Sequence, residues 1–382
     1  MRARIDKPVY LDYNATTPHD PRVVAAMEPF LHEHFGNPSS SHWYGIQAKN
    51  AVENARWQVA SLLNCSPEEI IFTSGGTESN NYAIKGTAYA YRSKGNHIIT
   101  TRIEHPAVIE VCKFLEQNEF EVTYLPVDEF GMVNVSDAEK AMKPQTILIT
   151  IMHANNEVGT VEPIEQISKI AAERGIIMHT DAAQSVGKIP TDVRHLGVNL
   201  LSIAGHKLYA PKGIGALYIK QGIALSKFMH GAGHEQGRRA GTENVMGIVG
   251  LGKACEIARQ DLDKNFDHMK KMKERLYNGL KSRREELRLN GHPDKCLPNT
   301  LSLSFKNVNV NELLSEIKDC VAVSAGSACH SGKTEISHIL EAMDVPVEYA
   351  LNTIRFSTGR MTTEDEIDIA VKVIADGINK RT

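Results

Sequence analysis

A lysine and an aspartate stand at the ends of two apolar runs in this 382-residue sequence. Val198-Asn199-Leu200-Leu201-Ser202-Ile203-Ala204 leads into Gly205-His206-Lys207, and Ile176-Ile177-Met178-His179-Thr180 leads into Asp181. Each run reads as a buried strand, and an open α/β sheet presents its chemistry beyond the carboxyl ends of its strands. A lysine there can hold an aldehyde as a Schiff base. A carboxylate nearby can keep a pyridine nitrogen protonated, so that the ring accepts electrons. Those are the two demands of pyridoxal phosphate. The pair alone decides little, because a lysine after a strand is ordinarily a solvated loop residue.

Other residues of the right types recur at similar positions. Ser74-Gly75-Gly76-Thr77 follows Ile70-Ile71-Phe72 and precedes a helical pattern. Small residues there let backbone N–H groups approach an anion, so Gly76 and Thr77 form a candidate phosphate cradle; a simple helix cap is the plainer reading. His105 ends another strand-like segment before Pro106, and can stack on an aromatic ring and move protons. Asn156, after the run Ile147–Met152, and Gln184, three residues past Asp181, can reach a phenolic oxygen; an ordinary turn would also use asparagine. The loop His234–Thr242 carries Arg238, Arg239 and Thr242, which suit gripping a phosphate or completing a neighbouring subunit's site. Ser324-Ala325-Gly326-Ser327-Ala328-Cys329-His330-Ser331-Gly332 consists almost wholly of small residues. It reads as an exposed, flexible loop, and Cys329 within it as an accessible nucleophile. Arg355 is of the type that grips a carboxylate with two parallel hydrogen bonds.

The elements needed to position these groups are legible. Helices are expected at roughly 45–63, 78–93, 106–118, 136–142 and 163–174. Strand-like runs lie at His97–Thr100, Val122–Leu125, Thr146–Ile151, Ile176–His179, Asn199–Ile203 and Ala216–Ile219. That alternation predicts a doubly wound, mostly parallel sheet. A charged helical stretch from Val245 to Arg284, continuous or broken, leads into an α+β remainder, and the last helix begins at Thr363 with Glu364, Asp365 and Glu366 in its first turn.

Bulk properties narrow the classes. A hydrophobic fraction of 42% and a charged fraction of 23% fit an ordinary globular protein of two or three domains. A net charge of −3 gives no electrostatic case for nucleic acid or an anionic membrane. No run is long enough for a membrane span, and the start Met1–Pro8 lacks the apolar segment of a secretory signal. Six cysteines, at 65, 112, 255, 296, 320 and 329, form no C-x-x-C, so neither a zinc site nor a disulfide framework is expected and a reducing cytoplasm fits.

Taken together and in order, these motifs resemble the cysteine desulfurases, fold-type I pyridoxal-phosphate enzymes of the class-V aminotransferase kind. The resemblance runs from Tyr10-Leu11-Asp12-Tyr13-Asn14-Ala15-Thr16-Thr17-Pro18 through Phe72–Asn80, Glu104-His105, Met152–Glu157, His179–Gln184, Gly205-His206-Lys207 and Gly326-Ser327-Ala328-Cys329 to the final helix. It implies a large domain (15–260) with a mostly parallel seven-stranded sheet, and a smaller α+β domain made of 1–14 and 261–382. It implies Lys207 as the residue bonded to the cofactor aldehyde, His105 stacked on the ring and Asp181 at its nitrogen. Asn156 and Gln184 would face the phenolic oxygen. Thr77 and His206 would bind phosphate, with Thr242 supplied by the other subunit of a homodimer. Arg355 and Asn156 would hold the substrate carboxylate. Cys329 would take sulfur from L-cysteine as a persulfide, leaving L-alanine, and pass it to an acceptor protein.

Three departures bear on the acceptor and substrate. Familiar members have serine where this chain has Ala204, which removes one hydroxyl from the phosphate site. His330 follows Cys329 where many desulfurases have threonine, a pairing closer to selenocysteine lyases and to desulfurases serving DNA phosphorothioation. The sequence stops soon after Asn379, whereas relatives that feed iron–sulfur scaffolds carry a longer tail. The acceptor is therefore left open among iron–sulfur assembly, tRNA thiolation, DNA phosphorothioation and selenium supply. Selenocysteine lyase is the near alternative. An aminotransferase would have no use for Cys329, and a silent docking partner would have no use for Lys207, Asp181, His105 and Cys329 together.

Overall fold

The computed structural model describes residues 7–284, 286–330 and 333–380, and of 327–330 and 333–335 the backbone alone. The basic start Met1–Asp6 and the end Arg381-Thr382 lie outside the described residues. Strand β1 (Val9–Tyr10) is followed by β2 (Ile70–Thr73), β3 (His97–Thr101), β4 (Glu121–Leu125), β5 (Thr146–Thr150), β6 (Ile177–Asp181), β7 (Leu200–Ala204) and β8 (Gly215–Ile219). Strands β2 to β8 form one sheet in the order β2-β8-β7-β6-β5-β3-β4. Strand β8 runs antiparallel to both its neighbours, and the remaining pairings are parallel.

Parallel strands covered on both faces require near-continuous apolar sequence. Every residue of β2, β3, β5, β6, β7 and β8 is buried, and only the edge strand β4 is partly open. Val52, Val59 and Leu63 from the helix Trp43–Leu63 pack on one face with Ile248 and Leu251 from Val245–Gln260. Tyr82 and Ile84 from Gly76–Ala90 pack on the other with Val108 and Leu115 from Pro106–Glu116. The polar residues inside the sheet are paired: the His179 ring bridges Thr150 Oγ1 (2.8 Å) and Ser202 Oγ (3.0 Å). Burial drops the His179 pKa to about 4, so the ring is neutral and holds three strands in register.

The charged stretch breaks at Asp261 into helices Val245–Gln260 and Leu262–Lys281. Beyond it come β9 (Leu287–Asn290), β10 (Thr300–Phe305), β11 (Val321–Ala322), β12 (Ser324–Ala325), β13 (Ser327–His330), β14 (Lys333–Ile336) and β15 (Thr353–Ser357). A second sheet has the order β12-β15-β10-β9. Its core gathers Met272, Leu276, Leu303, Phe356 and Ile374 with Val9 and Leu11 from the start of the chain. Strand β1 joins this part by pairing with β11, Val9 opposite Val321.

Two local differences from the sequence reading matter. The helix expected from residue 78 starts at Gly76, which brings Gly76 and Thr77 into its first turn. The segment around Cys329 reads as a loop from its small residues, yet its backbone forms β13, paired antiparallel with β14 with Cys329 opposite Thr334. Small residues have little strand preference of their own, so this pairing was invisible to composition.

The loop 231–242 is held by a buried ion pair. Arg56 Nη1 and Nη2 donate to Glu235 Oε2 and Oε1, both at 2.8 Å, and Phe72 N donates to Glu235 Oε2 at 2.7 Å. Both side chains are about 95% buried or more. Glu235 and Gln236 have φ of 48° and 58°, so the pair also holds strained backbone. Arg56→Met strands the Glu235 carboxylate and is expected to cost about 3–5 kcal/mol. Arg56→Met/Glu235→Leu is expected to recover most of that loss. Urea unfolding of the two variants checks both statements; equal losses would show that the stranded charge is not the cause.

Candidate active site

Beyond the carboxyl ends of β3, β5, β6 and β7 lies a cavity of about 260 Å³. Gly76, Thr77, His105, Asn156, Asp181, Gln184, His206, Lys207 and Arg355 all line it, with Asn14, Asn80 and Ala204. One residue named from the sequence lies elsewhere: Thr242 is exposed and is not part of this lining. The Cys329 side chain lies outside what is described.

Lys207 ends the 3₁₀ turn Gly205–Lys207 that follows β7. Gly205 is needed at its start, because a Cβ there would come within 2.8 Å of Ile214 O. The chain's N-terminal segment braces the turn: Thr17 donates to His206 O from N (2.9 Å) and from Oγ1 (2.8 Å). Burial pushes Lys207 below the usual ammonium range; Asp181 opposes the shift and Arg355 adds to it. A lysine shifted in this direction loses its proton more readily, which suits a nucleophile and proton carrier.

Asp181 Oδ2 accepts from Asn80 Nδ2 at 2.7 Å, and Oδ1 accepts from Ala183 N at 2.9 Å. His105 is the N-cap of Pro106–Glu116, and its Nδ1 accepts from Ala107 N at 3.1 Å. Burial, followed by the charge of Lys207, lowers its pKa. With Nδ1 accepting from Ala107 N, the ring carries its proton on Nε2. His206 Nδ1 lies 3.2 Å from Thr16 Oγ1, and burial lowers its pKa to about 4. Arg355 Nη2 donates to Asp12 Oδ1 (2.9 Å) and Ser324 Oγ (3.0 Å), and Nη1 donates to Asn156 O (3.3 Å).

The residues fit pyridoxal phosphate. The helix Gly76–Ala90 opens into the cavity with no side chain capping it, leaving a positive helix end beside Thr77 and His206 for a phosphate. A Cβ on Gly76 would lie 3.2 Å from the Ala204 Cβ, so this wall is already close. Asn156 Oδ1, Asn80 Oδ1 and Arg355 Nε are buried without a hydrogen-bond partner among the described residues. Arg238 and Arg239 do not line this cavity. Within the chain Arg239 pairs with Glu78 (2.9 and 3.2 Å) and Arg238 Nη1 donates to Glu68 O (3.2 Å), contacts that pin the loop 231–242.

Sequence reasoning assigned no role to three groups in or behind this wall. Asn80 holds Asp181, Asn14 holds the Asn156 carbonyl (3.1 Å), and Lys188 is buried behind Gln184. For Lys188 there was a signal, a lysine four residues after Gln184 that directly follows the uncharged stretch Ala182–Gly187. Glu104 is also buried, its Oε1 accepting from Thr101 Oγ1 (2.9 Å) and Met152 N (2.8 Å).

The family model for class-V aminotransferases matches residues 9–369. The chain thus belongs to the class-V aminotransferases, here a fold-type I enzyme dependent on pyridoxal phosphate. Within that family it is a cysteine desulfurase by kinship: it is 49% identical over 373 residues to the cysteine desulfurase IscS of Dictyoglomus turgidum (strain DSM 6724 / Z-1310), covering 97% of this chain and 95% of that one. Among solved structures it is similar to a NifS-like protein (39% identity, TM-score 0.92, 98% and 100% of the two chains). It is also similar to SspA in complex with cysteine (38%, TM-score 0.82, 93% and 99%).

Burial raises the Glu104 pKa to about 8 from 4.5. Between those values the folded protein keeps a proton that the unfolded chain has released. Its stabilising contribution is full below pH 4.5 and is lost as pH climbs through 8. Glu104→Gln, permanently neutral, is expected to remove that loss. Its stability relative to the parent should gain about 1 kcal/mol per pH unit between pH 5.5 and 8. Denaturation curves of the cofactor-free proteins at several pH values test this; parallel pH profiles would refute it.

Proposed function

We propose that this chain takes the sulfur of L-cysteine onto Cys329 as a persulfide, releases L-alanine and hands the sulfur to an acceptor protein. The observation that carries this reading is how the Cys329 segment is attached. Strand β12 pairs with β15, Ser324 directly opposite Arg355, and Gly326 N donates to Thr353 O. After β14, Ser337 Oγ donates to Glu157 Oε2 (2.6 Å), and the His338 ring contacts Glu104 O (3.0 Å). Both ends of the segment are therefore anchored beside residues that line the cavity or adjoin its lining. At about 3.3 Å per residue, Cys329 lies within roughly 16 Å of Ser324.

Bound pyridoxal phosphate supplies the aldehyde that bonds the substrate amine and the ring that accepts electrons. The residues do the rest. Arg355 and Asn156 hold the substrate carboxylate, and Lys207 Nζ and His105 Nε2 carry protons. Asp181, fixed by Asn80, keeps the ring nitrogen protonated. The Cys329 thiolate forms an S–S bond to the substrate sulfur as the substrate C–S bond breaks. Protonation of the departing carbon completes alanine, so no external oxidant or reductant enters. The cysteine desulfurase kinship favours cysteine over selenocysteine as substrate.

The acceptor is a protein, and the setting is the cytoplasm; no described helix is long and apolar enough to cross a membrane. The working form is a homodimer. Thr242 is exposed and precedes Glu243, which lines a groove with Pro38, Ser39, Lys49 and Gln236. Phe35, Trp43, Tyr44 and Trp57 are exposed nearby in sequence, apolar area that a second copy would cover. Sedimentation is expected to return twice the mass of one chain; a monomer carrying a full complement of cofactor would remove Thr242 from the phosphate site.

Alanine release from cysteine and from selenocysteine tests the chemistry. Cys329→Ala is expected to keep bound cofactor and lose alanine release from cysteine by at least about a hundredfold. Lys207→Ala is expected to lose turnover and the visible absorbance of the bound cofactor. Full activity of Cys329→Ala on cysteine, or turnover of selenocysteine alone, would overturn the sulfur-acceptor assignment.

A further inference from the structure

We propose that Lys188 is a positioning residue for this reaction: it fixes the Gln184 amide with its oxygen turned inward and its NH₂ available to the phenolic oxygen of bound pyridoxal phosphate. The proposal rests on the cofactor reading above. Lys188 is 5% exposed and does not line the cavity. Its Nζ donates to Gln184 Oε1 and to Asn14 Oδ1, both at 3.0 Å.

An ammonium has three donors and no acceptor, so the atoms it touches must be oxygens. That settles which way both amides face. Gln184 Nε2 gives one hydrogen to Asn14 O at 3.0 Å, leaving its second for the cavity that Gln184 lines. Asn14 Oδ1 also accepts from Asn299 Nδ2 (2.9 Å), so Asn14 Nδ2 is directed to Asn156 O (3.1 Å) and Thr300 Oγ1 (2.8 Å). One lysine behind the wall thus orders Gln184, Asn14 and the Asn156 carbonyl.

A buried lysine is a costly way to hold two amides unless its charge matters or its donors cannot be replaced. Burial, with the nearby charges of Lys207 and Arg355, lowers the Lys188 pKa to about 7. Even as a neutral amine it keeps two hydrogens, enough for both oxygens. In that form, where the amine gains a lone pair, the orientation is also held by Gln184 Nε2 donating to Asn14 O and Asn299 Nδ2 donating to Asn14 Oδ1.

The test uses the cofactor-loaded enzyme and reads the pH midpoint of the bound cofactor's visible absorbance. A donor at the phenolic oxygen draws off electron density that otherwise holds the titrating proton. Lys188→Met is expected to raise the midpoint by about half a pH unit or more, the scale of one lost hydrogen bond. In a Gln184→Met background the same change is expected to add no shift. Gln184→Glu, with Lys188 intact, turns an acceptor to the cavity and is expected to raise the midpoint further; this arm does not depend on the folding of Lys188→Met. An unmoved midpoint in Lys188→Met, a shift that survives in the Gln184→Met background, or an unmoved midpoint in Gln184→Glu would each overturn the proposal. Absence of the visible band in the parent enzyme would remove the cofactor reading itself, an outcome distinguishable from all of these.

Discussion

Three cations are crowded into a dry space at the ends of a parallel sheet. Lys188, Lys207 and Arg355 lie within one another's fields, and the carboxylates that face them are Asp12 and Asp181. Gathering like charges away from water is unfavourable, and the protein offsets it in two ways. It lets both lysines give up their protons more easily than in water. It also leaves the cavity suited to negatively charged groups, which on the proposed reading are a phosphate at the helix end by Thr77 and a substrate carboxylate by Arg355. The chemistry then follows from electrostatics: a lysine poised to be neutral is also one poised to attack and to move protons.

The sheet makes that crowding possible. All its strands but the edge strand β4 are buried along their whole length, and the groups that follow β3, β5, β6 and β7 are delivered from fixed points. Polar residues inside the layer are tied to each other rather than to water. His179 joins β5, β6 and β7, and the His153 ring contacts Ser185 Oγ at 2.9 Å beneath the Asp181 turn. Both histidines are held at about 4 by burial, so they act as neutral hydrogen-bonding spacers and carry no charge near the three cations.

Much of this was legible in the sequence, for a physical reason. Lys207 and Asp181 follow apolar runs, His105 precedes a proline that starts a helix, and Gly75-Gly76 opens another. Strand ends and helix starts are local signals, and they carry the residues that face the cavity. The residues that hold those residues left weaker marks. Asn80 reaches Asp181 and Asn14 reaches Asn156 through contacts between segments far apart in the chain, which no spacing encodes. Arg238 and Arg239 looked like anion grips because a sequence does not show that Glu78 and the Glu68 carbonyl already occupy them. The pairing of β13 with β14 was hidden because it rests on backbone hydrogen bonds among small side chains.

On the proposed reading, the attachment of the Cys329 segment at Ser324 and Ser337 would make its thiol a tethered reactant. Its encounter with substrate is governed by local concentration, of millimolar order for a short tether, and not by affinity. Closure entropy grows only as the logarithm of tether length. A somewhat longer segment would therefore lose little frequency of return while gaining outward reach. On that reading, the length of this segment would set how far the sulfur reaches outward and would leave the surroundings of Lys207 nearly untouched.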